Sequence, residues 1–255
     1  VGNKEAWAIG GALSYQSGWF LDHFGVGAVL YTSQPLYAPD GRDGTLLLAP
    51  GQEGYTVLGQ VYGRVKLVED NFLNIYRYEY NTPYINKNDS RMTPNTFEGY
   101  TFEGAVGGKD GEPRFSYGGG YIDKIKPRND STFMSMSEAA GAKVKRGVFP
   151  VGLKYSYGGF QLGAINYYSQ DIINIGYGET QYRWKLRDGL GLLLGAQFTD
   201  QRSVGGDLLT GSSFHGTQMG FMAHVSYTQA ILTLAYTNTS TGADLKNPWS
   251  SYPGY

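Results

Sequence analysis

Gln181 to Thr199 reads QYRWKLRDGLGLLLGAQFT, two alternating runs on either side of Asp188-Gly189. In the first run Tyr182, Trp184 and Leu186 alternate with Gln181, Arg183, Lys185 and Arg187. In the second, Leu190, Leu192, Leu194 and Phe198 alternate with Gly191, Gly195, Gln197 and Thr199. Successive strand residues point to opposite faces, so each run predicts a strand with one apolar and one polar face. An Asp-Gly pair between two such runs is a strong hairpin signal.

The same alternation recurs along the chain. Val57, Val61, Val65 and Leu67 fall on one face, against Gln60, Tyr62, Arg64 and Lys66. Met219, Phe221, Val225 and Tyr227 oppose Gln218, Gly220, His224 and Ser226. About twelve segments follow this pattern, near 6–16, 20–32, 56–68, 72–80, 97–106, 114–123, 148–157, 160–168, 173–186, 190–201, 216–227 and 230–239. Their lengths suit tilted strands crossing a bilayer, which need about 9–11 residues. The longest strongly apolar stretch, Leu190 to Ala196, is far shorter than the roughly 18 residues of a spanning helix. A mean hydropathy of −0.35 suggests a soluble chain, but a membrane strand shows only alternate residues to lipid.

The connections point the same way. Tight links at Ser17-Gly18, 69–71, 158–159, 188–189 and 228–229 alternate with long ones at 33–55, 81–95, 124–147, 202–215 and 240–255. A membrane barrel with short periplasmic turns and long external loops has this rhythm, whereas a soluble sandwich or lipocalin-like barrel has no reason to. Trp7, Tyr15, Trp19, Phe20, Tyr155, Tyr157, Phe160, Tyr167, Tyr168, Tyr182 and Trp184 gather near strand ends. There they fit an interfacial aromatic girdle better than strand propensity alone. The expected fold is all-β, a transmembrane antiparallel up-and-down β-barrel forming a single domain over 1–255.

Composition narrows the function. The chain has no cysteine, which removes disulfides and thiolate metal sites, and its net charge of −1 gives no footprint for nucleic acid. Only 17% of residues are charged, against about 25% in a typical soluble domain. His23, His215 and His224 lack metal-ligand spacing, no GxSxG elbow occurs, and the glycine-rich stretches do not open helices. No catalytic residue, metal or cofactor is expected.

Tyr80 to Phe102, YNTPYINKNDSRMTPNTFEGYTF, closely resembles the third external loop and following strand of the OprD-type outer-membrane porins. WAIGGALSYQSG (7–18), GTLLLAPGQEGYTVLG (44–59) and SYGGGYIDKIKPRND (116–130) resemble other parts of that family. The resemblance implies an eighteen-stranded channel of which about twelve strands lie in this chain, from the second strand into the seventh external loop. A twelve-stranded barrel is the alternative.

The resemblance also implies a row of basic side chains leading carboxylate-bearing solutes past a constriction. Arg183, Lys185 and Arg187 alternate on one strand face, and Arg64 and Lys66 on another. Same-face neighbours about 7 Å apart repel by about 0.6 kcal/mol in water, a cost that folding does not require. A lumen that attracts anions supplies a reason. The competing reading makes them rim residues near a turn, and for Arg187 the two readings balance. The loop 81–95, with Asn88, Asp89 and Arg91 between Pro83 and Pro94, is expected to narrow the lumen. Asp89 would shape it, with Arg91 facing the pore or pinned by Asp89. Glu103 would face inward and set an acidic patch across the opening.

The expected function is therefore passive diffusion of small, mainly anionic solutes, with outer-membrane lipid and lipopolysaccharide as surroundings and a monomer or trimer as assembly. A non-conducting barrel serving as a scaffold or surface hydrolase is the alternative.

Overall fold

A computed structural model describes residues 3–109, 111–250 and 253–254. Twelve strands form one antiparallel sheet in strict chain order: β1 (Trp7–Gln16), β2 (Phe24–Tyr37), β3 (Tyr55–Val68), β4 (Asn71–Tyr78), β5 (Thr96–Gly107), β6 (Arg114–Lys126), β8 (Phe149–Tyr157), β9 (Phe160–Ser169), β10 (Ile173–Arg187), β11 (Leu190–Arg202), β12 (His215–Tyr227) and β13 (Ala230–Thr239). A two-residue strand, β7 (Met134–Ser135), pairs only with β6 and leads into one helical turn, α1 (Met136–Ala139). β1 and β13 are the edges and do not pair with each other, so the wall is open as described. No helix among the described residues is long and apolar enough to cross a membrane. Tyr255 lies outside the described residues.

All twelve expected strands are present. The long loops differ in extent: β2 and β6 run on to Tyr37 and Lys126, and β7 and α1 lie within the loop that follows β6. An up-and-down sheet satisfies backbone donors and acceptors between neighbours, as hydrocarbon demands.

The faces are inverted relative to a soluble sheet. Leu13, Val151, Leu153, Leu194, Leu232 and Leu234 stand exposed on the outer face, while Gln197, Thr199, Gln201 and Gln218 are buried on the inner one. Near the short-turn end the outer face carries a run of ring contacts: Phe115–Tyr155 at 4.9 Å, Tyr155–Phe160 at 6.2 Å, Phe160–Tyr182 at 6.4 Å and Tyr182–Trp184 at 4.1 Å. This belt joins four strands, β6, β8, β9 and β10, as an interfacial girdle does.

Three assignments made from the pattern change. Val57 faces inward with Tyr31 and Tyr55, not outward with Val61. The register with β2 skips Gly59, and a bulge of this kind shifts the alternation by one residue. Trp19 leaves the girdle and stacks on Phe72 at 5.8 Å. Tyr167 is fully buried and belongs to the interior cluster.

That cluster is the apolar core. Tyr84 from the loop after β4, Met136 and Ala142 from the loop after β6, and Trp249 from the segment after β13 meet Phe97, Ile122, Ile125, Tyr167, Ile173, Ile175 and Tyr177 from the strands. The core thus fills the concave side at the long-loop end. Each such side chain taken out of water contributes about 1.5–3 kcal/mol.

Candidate functional site: the lumen loop and the basic wall

The loop 79–95 is built to reach inward. Thr82 N and Thr82 Oγ1 both donate to the Ile85 carbonyl, at 2.8 and 2.9 Å, closing a turn around Pro83 and Tyr84. That turn presents Tyr84 and Ile85, both buried, at the tip. Tyr84 N donates to Tyr167 Oη at 3.1 Å, Tyr167 Oη donates to Thr82 Oγ1 at 2.9 Å, and Tyr84 Oη donates to Thr199 Oγ1 at 3.2 Å. The tip is thereby fastened to β9 and β11, across the concave side from β4 and β5.

The outer limb is held differently. Lys126 Nζ donates to the carbonyls of Pro94 and Pro127, at 3.0 and 2.8 Å, and to Thr93 Oγ1 at 3.3 Å. Asn86 N donates to the Trp249 carbonyl, and Trp249 Nε1 to the Met136 carbonyl at 2.7 Å. Three loops are so joined in the mouth. At the loop's root, burial pushes the Tyr80 hydroxyl up to about 12, which keeps it neutral for its bond with Thr101.

Beneath the loop lies a cavity of about 590 Å³ lined by Arg64, Tyr80, Glu103, Lys154, Tyr177 and Glu179. Arg64 lies with its guanidinium 3.9 Å from the Phe72 ring centre and pairs with Glu103 at 2.6 Å, while its Nε is buried without a partner among the described residues. Glu103 is therefore beside Arg64 on one wall and not across the opening from it. β3 and β5 flank β4, and the register Lys66–Phe72–Glu103 puts all three in one row.

The second basic stretch lies on β10, far around the sheet. Arg183, Lys185, Leu193, His224 and Ser226 line a recess of about 510 Å³ near the short-turn end. Lys185 pairs with Asp188 at 3.0 Å, and Arg187 stands 5.9 Å from the Tyr227 ring centre. Among the described residues Lys66, Lys154 and Arg183 have no carboxylate within ion-pair distance. Lys154 was not singled out from the sequence, because one Lys in a strand carries no pattern.

Asn88, Asp89 and Arg91 lie on the outer limb and not at the tip. Asn88 Oδ1 accepts from Arg128 at 3.1 Å, Asp89 stands 4.0 Å from Lys87, and Arg91 donates to the Thr45 and Ser90 carbonyls at 3.1 and 2.7 Å. Arg91 is not pinned by Asp89. Tyr84 and Ile85, which do reach the far wall, were missed; two apolar residues between Pro83 and Asn86 in a polar loop were the available signal.

The profile of OprD, described as outer membrane porin, OprD family, matches residues 1–248. No curated protein matches. The solved structure of Acinetobacter baumannii OccAB3 superposes with a TM-score of 0.82 at 18% identity, covering 99% of this chain and 64% of that one. Pseudomonas aeruginosa OccK9 (OpdG) gives 0.82 at 20% identity, covering 98% and 65%. P. aeruginosa OpdK, in a structure with vanillate, gives 0.75 at 18%, covering 92% and 61%. The chain thus spans less than two thirds of each of these structures, and at such identities the likeness establishes the fold. With a match running over nearly its whole length, the chain belongs to the OprD family of outer membrane porins and is an integral β-barrel protein of the outer membrane.

Proposed function

We propose that this chain supplies wall and lumen loop to a passive channel for small solutes, with carboxylate-bearing ones favoured. The observation that carries the reading is a set of inner-face cations, Lys66, Lys154 and Arg183, without carboxylate partners among the described residues. A low-dielectric wall focuses the field of such charges and raises the local concentration of anions. The tip at Tyr84, fastened to the far wall, sets the width a solute must pass. OpdK, solved with vanillate, agrees with this solute class. Passage down a gradient uses only water, side chains and the loop.

The test is a planar-bilayer measurement on the purified protein under a KCl gradient. The expected result is stepwise conductance with a reversal potential on the anion side. An absence of conductance overturns the channel reading, and a cation-side reversal potential overturns the preference.

A further inference from the structure

Toward the long-loop end the outer face changes character along one row of the sheet. The register pairs Tyr100 with Tyr121, Phe149 with Tyr168, Tyr168 with Asn174, Asn174 with Arg202 and Arg202 with His215. The Tyr121 and Phe149 rings meet at 4.7 Å, which joins the two halves of the row. Asn174 stands eight residues from Tyr182 on β10, a rise of roughly 20 Å for a tilted strand, close to the far boundary of an apolar band about 25 Å tall. From β5 to β9 that boundary is met by rings, as a second girdle. From β10 to β12 it is met by polar and charged groups instead.

Asp200 and Arg202 share the β11 face of Leu194 and Phe198, and His215 shares the β12 face of Met219 and Phe221. His215 Nε2 and Asp200 Oδ2 lie 2.6 Å apart, and Arg202 Nε lies 3.6 Å from Asp200 Oδ1. Both Asp200 oxygens are thus engaged, and the carboxylate steers the Arg202 guanidinium by its Nε side. On the neighbouring strands Asn166 Nδ2 donates to Asn174 Oδ1 at 2.9 Å, which turns the Asn174 amide so that its Nδ2 is left over. Among the described residues the Arg202 Nη groups and Asn174 Nδ2 have no hydrogen-bond partner. Such donors on a lipid face call for a polar counterpart outside the protein. A phosphate supplies one: its oxygens take the two Nη groups of an arginine as a fork and an amide donor beside it.

We propose that Arg202 and Asn174, positioned by Asp200 with His215 and by Asn166, hold a phosphate of lipid A on the outer face of the barrel. The occupant follows from place and charge. Long loops mark the external side, where the leaflet is lipopolysaccharide and its lipid A phosphates lie at the boundary that this row reaches. The site faces away from the lumen, so it goes beyond the channel reading and does not depend on it. The probes are diphosphoryl lipid A and the same lipid A with both phosphates removed, titrated into the full chain in detergent and counted as bound lipid by native mass spectrometry. Diphosphoryl lipid A is expected to bind at least fivefold more tightly than the phosphate-free form. Arg202→Gln with Asn174→Ala is expected to weaken the diphosphoryl form at least fivefold and to leave the phosphate-free form unchanged. Arg202→Lys, which keeps the charge and loses the fork, is expected to fall between. Equal binding of the two lipids overturns the site, and so does unchanged diphosphoryl affinity in the folded double variant. If the double variant does not fold, Arg202→Lys decides in its place, and wild-type affinity there overturns the site.

Discussion

The Tyr84 hydroxyl donates to Thr199 Oγ1 at 3.2 Å, joining the lumen loop to a strand 115 residues away. Both residues are buried, and the Tyr84 ring also lies against Tyr167 and Tyr177, at 6.0 and 6.2 Å.

Tyr84→Phe is expected to cost about 1 kcal/mol by loss of one hydrogen bond and to leave conductance nearly unchanged. Tyr84→Ala is expected to cost about 3–5 kcal/mol and to raise single-channel conductance, because the tip loses the ring that wedges it. Thermal unfolding and bilayer recordings check both; equal conductance in the two variants would separate the tip from the narrowing.

Arg183→Glu with Lys185→Glu is expected to move the reversal potential toward cations while the barrel still folds, since lumen substitutions tune selectivity. Arg64→Gln with Glu103→Gln removes a pair already neutral in sum and is expected to change selectivity little. Reversal potentials of the two double variants, compared side by side, give the answer.

Neighbouring leucines on β11 test the assignment of faces. Leu194 is exposed on the outer face, whereas Leu193 lines the recess with Arg183 and His224. Leu194 pairs with Tyr182 of the girdle, so Leu194→Arg is expected to destabilise by up to about 1 kcal/mol, the interfacial cost, and Leu193→Arg by less. Folding yield into lipid vesicles measures both, and a reversed order would invert the wall.

Trp249→Ala removes a fully buried ring and the Nε1 bond to the Met136 carbonyl. A loss of about 3–5 kcal/mol is expected, together with faster hydrogen exchange at 82–90 and 136–148, the two loops that Trp249 joins. Unchanged exchange in both loops would mean that they hold without it.

Glu138 tests a pH effect outside the strands. Ser135 N donates to Glu138 Oε2 at 3.1 Å, and Glu138 N donates to Ser135 Oγ, a capping box on α1. The Ser135 backbone N–H, and after it the Ser135 hydroxyl, holds the carboxyl below its ordinary range. A depressed carboxylate stabilises above the ordinary range and loses that contribution as pH falls through the depressed value. The turn at 135–140 is therefore expected to lose protection, relative to intrinsic exchange, in acid, and Glu138→Gln to flatten that dependence.

Much of the wall was legible because alternation is local. Tyr182 and Trp184 face outward and Arg183 inward through the two-residue period of the strand alone. Val57 shows where the rule stops: Gly59 in the β3 run is the signal of a bulge, but Gly63 in the same run carries none, so only the pairing with β2 decides. The lumen loop was legible as a loop and as an inward one through resemblance, but its polar residues drew attention away from Tyr84 and Ile85. Alternation turns Glu103 inward, yet its partner Arg64, two strands away, follows only from register.

By itself the sequence determined the all-β class, the up-and-down order of twelve strands, the apolar and polar faces and the alternation of short and long links. These follow from backbone geometry and from the lengths between turns, which neighbouring residues specify. Tertiary structure alone decided which loop residues cross to the far wall, which cations are neutralised and which stand free. Those outcomes depend on side chains tens of residues apart meeting in one low-dielectric space, where a single bulge or ion pair redirects a charge that alternation had already placed.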